Sequence, residues 1–326
     1  MSKLSNIGRQ TPPAIFTIIL GLFGLALAWR AGALVSVVPL AVSQMLLGAV
    51  ATLFLGAALS YLIKALRRPS VLIDDMRILP GRGGVAALGV CFSALAAGFA
   101  PLSAAGAIKL MYFALFFHAC LAVLVIYVLA TGPKEQRNVT PIWHLSFVGF
   151  IVAAVSGTAL GQFGLSQVVF CGALLMALGI WAVSLVQLIR TSPAAPLRPL
   201  LAIHLAPASL FGIVALGFPA DQFPIMPVMA SIFTCIAALI LLALLISLRW
   251  IMESGFSPLW GAFTFPMTAS AVLFLSYSAA TGSLLVKIIG VVVLVAATFF
   301  VPWVAAKVIQ MWLKGTLATK TNASKA

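Results

Sequence analysis

Ten long apolar runs follow one another along this chain of 326 residues. Each has roughly the 20 apolar residues that a helix needs to cross a bilayer core about 30 Å thick. The runs are continuous and do not alternate apolar with polar residues, as the strands of a membrane barrel would. They predict an all-α polytopic membrane protein with ten transmembrane helices, at 13–31, 40–63, 83–101, 106–131, 141–163, 166–189, 199–218, 225–250, 258–280 and 284–312.

The composition supports this prediction, because 63% of the residues are hydrophobic and only 7% are charged. No soluble domain has such a composition. The loops are short, so consecutive helices are expected to pair as antiparallel hairpins. We therefore predict a cytoplasmic N-terminus at 1–12, a ten-helix transmembrane domain at 13–313 and a disordered basic cytoplasmic tail at 314–326.

The basic residues are unequally divided between the two sides of the predicted helices. With the N-terminus in the cytoplasm, all but three of the 19 Lys and Arg residues lie on the cytoplasmic side. Because cytoplasmic loops carry the excess of basic residues, we predict a multi-pass inner (plasma) membrane protein with both termini in the cytoplasm. The net charge of +14 is explained by this topology and does not indicate a nucleic-acid partner.

The odd-numbered runs share a pattern at intervals of about 60 residues, the length of one helical hairpin. Each begins at a proline, at Pro13, Pro80, Pro141, Pro199 and Pro258. Eight residues later come Gly21, Leu88 (followed by Gly89), Gly149, Pro207 and Pro266. If the pattern is a true repeat and not chance in a chain rich in Gly and Pro, five hairpins surround a central pore, with kinks at Gly21, Gly149, Pro207 and Pro266 in the odd helices.

The ninth run combines a proline with two aromatic residues. Pro266 removes one backbone hydrogen bond, and in lipid such a defect is tolerated only where protein or a water-filled cavity faces it. Phe263 and Phe265 lie beside it. Two interpretations stay open from this segment alone, a kinked helix with packed Phe side chains and a pore wall with an aromatic plug.

Catalytic or ion-coupling residues are not evident at membrane depth. The acidic residues all lie in loops or at the ends of runs, at Asp74, Asp75, Glu135, Asp221 and Glu253. This placement argues against cation selectivity by an acidic ring and against coupling through a buried carboxylate. No catalytic constellation, cofactor motif or metal-ligand spacing is present, so we predict no catalytic residues, no cofactor, no metal and no enzyme activity.

A few ionisable residues near the ends of the runs could still serve transport. The outer basic residues Arg30, Lys109 and Lys287 either raise the anion concentration at an outer mouth or are ordinary snorkelling residues. His144 and His204 lie near the inner ends of runs five and seven, where interface hydrogen bonds or, less often, a proton relay would use them. The predicted axis is otherwise uncharged.

Three segments resemble the tellurite-resistance/dicarboxylate transporter family, which includes yeast malate and sulfite transporters and the slow-type anion channels of plants. They are Gly21-Leu22-Phe23-Gly24-Leu25-Ala26-Leu27-Ala28-Trp29, Leu205-Ala206-Pro207, and Trp260 followed by Ala262-Phe263-Thr264-Phe265-Pro266. The resemblance implies a ten-helix channel of five hairpins, often a homotrimer, whose central pore is occluded by a phenylalanine at Phe265. This chain departs from some relatives at Thr17-Ile18-Ile19 and Ser146, where they have a proline.

The function predicted from residues and resemblance together is that of a membrane anion channel or channel-like transporter for small inorganic or organic anions. The first alternative is a proton-coupled secondary transporter of a C4-dicarboxylate, sulfite or a tellurite-related anion. The second is a membrane-embedded enzyme, which the lack of a catalytic constellation disfavours.

Overall fold

The computed structural model describes residues 10–325, and within them the regular secondary structure is all helical, with no β-strand. The cytoplasmic N-terminus predicted for 1–12 lies mostly outside the described residues. The first helices are α1 (Ile15–Leu34), α2 (Leu40–Arg67), α3 (Val71–Met76), α4 (Leu79–Phe99), α5 (Ala104–Thr131), α6 (Ile151–Ala159) and α7 (Phe163–Arg190). The chain continues with α8 (Leu205–Leu216), α9 (Met226–Ile246), α10 (Leu248–Ile251), α11 (Gly261–Thr281), α12 (Leu284–Leu313) and α13 (Thr316–Lys320).

Nine helices of the described chain are long and apolar enough to cross a membrane. The fifth run, predicted as a full span at 141–163, is a shorter apolar helix at His144–Ala159. It begins as a π-helix, His144–Val148, and continues as α6 after a turn. The chain leaves this segment at Gly161, whose φ of 72° is easily adopted only by glycine. The protein is thus a multi-pass helical membrane protein.

Burial divides these helices into two classes. In the four long helices that contain α1, α4, α8 and α11, between 67% and 83% of the most apolar stretch is buried. In α2, α5, α7, α9 and α12 the buried share is only 22% to 33%. Residues of the short α6 are also mostly buried. We call α1, α4, α6, α8 and α11 the inner helices and the other five the outer helices.

Each inner helix packs against the outer helix that follows it in the chain. The inner helices also pack on one another, and α1 and α11 make the most extensive contact. Glycines permit this close approach, since a Cβ placed on Gly21 would overlap the side chain of Thr264. The outer helices present long apolar side chains away from the core, including Leu59, Phe116 and Leu239.

Residues 314–325 have a defined structure, whereas the sequence predicts a disordered tail at 314–326. Gly315 adopts a left-handed φ of 74°, and α13 follows it. Leu317 and Ala318 of α13 are buried. This packing could not be predicted from the sequence, because so short a helix has too few buried positions to make a periodic pattern.

Candidate functional site

A wide cavity of about 600 Å³ opens between the C-terminal ends of the inner helices. All five inner helices line it, for example through Ala31, Ala97, Val155, Ile213 and Val272. The lining is mostly apolar, with Arg30, Thr158 and Ser276 as its polar side chains. No carboxylate of the described residues lines it, so an anion in this cavity would meet one cation and no fixed negative charge.

A narrow cavity of about 50 Å³ lies at the opposite end of the inner helices. This is the end at which the odd runs begin, each at a proline that we call its entry proline (Pro13, Pro80, Pro141, Pro199 and Pro258). The cavity is lined by segments at the start of every odd run, for example through Ala14, Gly83, Leu145, Ile203 and Ala262. Thr321, from the C-terminal segment, completes its wall. We refer to this as the proline end of the protein.

Phe265 is the one described residue that lines both the wide and the narrow cavity. It also lines a third, small cavity of about 20 Å³ that reaches Gly149 and Pro207. The side chain is 8% exposed. A Cβ added to Gly24 of α1 would lie 3.1 Å from Cδ2 of the Phe265 ring. The ring therefore occupies space that α1 leaves free by carrying glycine at this level.

Phe263 lies elsewhere, although it is only two residues away in α11. Its ring centroid is 6.0 Å from that of Trp260 and 6.1 Å from that of Phe300 on the outer helix α12. It is not among the residues that line the cavities of the described chain. A step of two residues turns a helix by roughly 200°, which explains why neighbouring phenylalanines have different surroundings.

The four residues predicted as kinks all lie on the inner helices or their approaches. Gly21 packs against Thr264, and Gly149 lies beside Val90 and His118. Pro207 is in the first turn of α8, which follows a 3₁₀ segment, Ala195–His204. Pro266 lies inside α11, which runs through it without interruption. Phe265, the residue before Pro266, therefore stays within the helix, and its position on α11 brings it to the cavities.

Of the three predicted outer basic residues, Arg30 is the one that lines the wide cavity of the described chain. Arg30 lines the wide cavity and donates two hydrogen bonds, from Nη1 to the carbonyl oxygen of Ala97 (3.1 Å) and from Nη2 to that of Gly98 (2.8 Å). These carbonyls belong to the last turn of α4, where a cation is favourable. Lys109 and Lys287 lie on the outer helices α5 and α12, and neither lines this cavity in the described chain.

Two histidines of adjacent inner segments contact one another, which the sequence did not predict. His144 Nε2 is 3.0 Å from His204 Nδ1, so the N–H of one ring donates a hydrogen bond to the other. His144 also lines the small cavity beside Phe265. The two residues lie three and five residues after Pro141 and Pro199, so they do not share a repeat position, and their spacing gave no signal that they would pair.

Comparison with known proteins gives one match. The family model described as SLAC1, voltage-dependent anion channel, matches residues 10–309. No curated protein matches the chain. The matched region contains all ten runs except the end of the last, and both cavities except for Thr321. The chain therefore belongs to the voltage-dependent anion channel family, which is the tellurite-resistance/dicarboxylate transporter family and includes the slow-type anion channels of plants.

Proposed function

We propose that this protein is an anion channel in which small anions pass between the inner helices, through the wide and narrow cavities, and that Phe265 is the gate. The family transports anions across membranes, and the gate is our inference for this chain. The observation that carries it is the position of Phe265, which is the single residue among those described that both cavity linings share. A bulky apolar ring in a narrow pore blocks passage by its volume and by excluding water.

Five hairpins around a central pore form the proposed architecture. The contrast between buried inner and exposed outer helices supports it, together with the packing of each inner helix on its outer successor. A homotrimer in the inner membrane, with its subunits meeting through outer helices, is the assembly that we propose from the family resemblance.

Reconstituted bilayer recordings in asymmetric salt test the transport proposal directly. We expect the current to reverse near the equilibrium potential of a monovalent anion such as chloride or nitrate, with weak discrimination between such anions, because Arg30 is the one charged side chain that the described residues contribute to the two cavity linings. Reversal at the cation value would contradict the proposal. A turnover that saturates at carrier rates would instead favour a transporter.

Orientation is a separate prediction. Asp221, in the loop between α8 and α9, should lie outside the cell, and both termini should lie in the cytoplasm, because nearly all basic residues then face inward. A single cysteine placed beside Asp221 should react with a membrane-impermeant thiol reagent added outside intact cells. Labelling of that cysteine only after the cytoplasmic side is exposed would contradict the predicted orientation.

Arg30 should increase the anion current by attracting anions into the wide cavity. Arg30→Gln is expected to lower the current severalfold at low salt and less at high salt, because salt screens the field of a partly exposed charge. The background for this comparison is Phe265→Ala, so that the current is measurable. Arg30→Lys keeps the charge and should keep most of the current, whereas an equal loss in both variants would assign Arg30 to capping α4 alone.

Lys109 and Lys287 are the matched controls, since they lie outside the cavity linings of the described chain. Their replacement by Gln should lower the current less than Arg30→Gln does.

A proton-coupled transporter of a dicarboxylate, sulfite or tellurite-related anion is the second candidate function. The hydrogen-bonded pair of His144 and His204 beside the small cavity favours it, because a proton held there is close to Phe265. Anion uptake into vesicles that follows an imposed pH gradient, and that loses this dependence in His204→Gln, would support coupling. Uptake that does not depend on the gradient would favour the channel function.

A further inference from the structure

The C-terminal segment 314–325 returns to the proline end after α12. It lies beyond residues 10–309, so the family match assigns it no role. Gly315 reverses the chain, and α13 places Leu317 (0% exposed) in the main apolar core. Thr321, at the end of α13, is 3% exposed and lines the narrow cavity. The segment is therefore packed against the wall of this cavity.

A buried ion pair holds the end of the segment. Lys64 Nζ of α2 lies 2.8 Å from Asp75 Oδ2 of α3, and both side chains are 0% exposed. Tyr61 donates its hydroxyl to the same oxygen, at 3.0 Å. The other oxygen, Asp75 Oδ1, accepts the backbone N–H of Ser324 at 2.8 Å. Charge-assisted hydrogen bonds of this kind are about twice as strong as neutral ones, so the last residues are fixed to α3.

We propose that segment 314–325 is a lid that covers the proline end of the anion path and restricts it independently of Phe265. This proposal rests on the proposed function for the meaning of the path. The narrow cavity has room for only a few water molecules at its volume of about 50 Å³, and Thr321 forms part of the wall that limits it. Removing the segment should widen the narrow cavity at this end, and it leaves the Lys64–Asp75 pair in place because both partners lie outside the segment.

The first experiment measures access to the cavity and does not depend on transport. Ala262, which lines the narrow cavity, is changed to Cys in a chain whose exposed cysteines, Cys120, Cys171 and Cys235, are replaced by Ala. Purified protein with Phe265 intact is treated with a negatively charged, water-soluble methanethiosulfonate. We expect the cysteine to react severalfold faster in a chain that ends at residue 315 than in the full chain. Equal rates in two well-folded proteins would overturn the lid.

A single substitution gives the same test without truncation. Ser324→Pro removes the N–H that Asp75 accepts, whereas Ser324→Ala keeps it and is the matched control. Faster reaction in Ser324→Pro but not in Ser324→Ala supports the lid. Equal rates in the two variants would show that the segment stays seated without this bond and would overturn the proposed fastening.

Anion current in the Phe265→Ala background separates the lid from the proposed function. Ending the chain at residue 315 should raise that current severalfold. If Phe265→Ala conducts and the truncation changes neither current nor labelling, the lid is wrong and the channel stands. If labelling accelerates while no variant conducts, the lid covers a cavity that is not an anion path, and the proposed function is wrong.

Discussion

Phe265→Ala should convert a nearly silent protein into one that conducts anions continuously. Within residues 10–325, the substitution removes the one side chain that borders both the wide and the narrow cavity, so the two would join. A barrier lowered by about 1.4 kcal/mol raises a rate about tenfold, and a ring that fills the passage should contribute at least that much. We therefore expect a tenfold or larger increase in current in reconstituted bilayers. Phe265→Leu should give a smaller increase, because more of the blocking volume remains.

Phe263→Ala is the control for lost packing. Both substitutions remove a phenyl ring from α11, but Phe263 packs on Trp260 and Phe300, away from the cavities. Because Phe263 is only partly buried, its loss should lower stability by less than the roughly 3–5 kcal/mol that a fully buried Phe costs in soluble proteins, with no gain of current. If well-folded Phe265→Ala protein conducts no more than the wild type, Phe265 is a packing residue and not a gate.

Asp75→Ala should destabilise the protein by about 3–5 kcal/mol, because removal of one partner leaves the other charge buried and uncompensated. Here the remaining charge is that of Lys64, which is 0% exposed, and Tyr61 and Ser324 lose their acceptor as well. We expect the midpoint of thermal unfolding in detergent to fall clearly. The double variant Lys64→Met with Asp75→Leu should recover part of this loss, because no unpaired charge is then buried.

Asp74→Ala tests whether position alone explains the effect. Asp74 is the sequence neighbour of Asp75 but pairs with Arg68 and Arg77 at the surface, where its side chain is 32% exposed. Exposed pairs of this kind contribute about 0–1 kcal/mol, so the midpoint should hardly move. Equal losses for Asp74→Ala and Asp75→Ala would contradict the assigned importance of the buried pair.

Much of the helical arrangement could be read from the sequence, and the reason is the bilayer. Lipid demands continuous apolar runs, and these gave helix positions to within a few residues. The prolines at the start of the odd runs, and the Gly and Pro residues beyond them, predicted that the odd helices are the inner ones. In the structure, Gly21 and Gly149 have close neighbours that only a small residue allows. Phe265 was located through its motif, and its contact with both cavities is additional support from the structure.

Other features depend on contacts that no local pattern encodes. Asp75 and Ser324 are far apart in the chain, and a single backbone hydrogen bond leaves no mark on composition. The pairing of His144 with His204 requires the orientation of two helices. Charge at a span end predicted Arg30, Lys109 and Lys287 alike, but only the first is on an inner helix. Whether a basic residue lies on an inner or an outer helix, and not its charge, decides which of the three reaches a cavity.

The contact between Gly24 and the Phe265 ring links two positions that are far apart in the chain. Gly24 cannot change freely while these neighbours stay, because a Cβ there would lie 2.1 Å from Thr268 Oγ1 and 3.1 Å from the Phe265 ring. Among descendants of a common ancestor, a larger residue at position 24 should therefore accompany smaller residues at positions 265 and 268. Loss of the aromatic ring alone would leave glycine required by Thr268, so a substitution at position 24 would mark lineages in which both neighbours have changed.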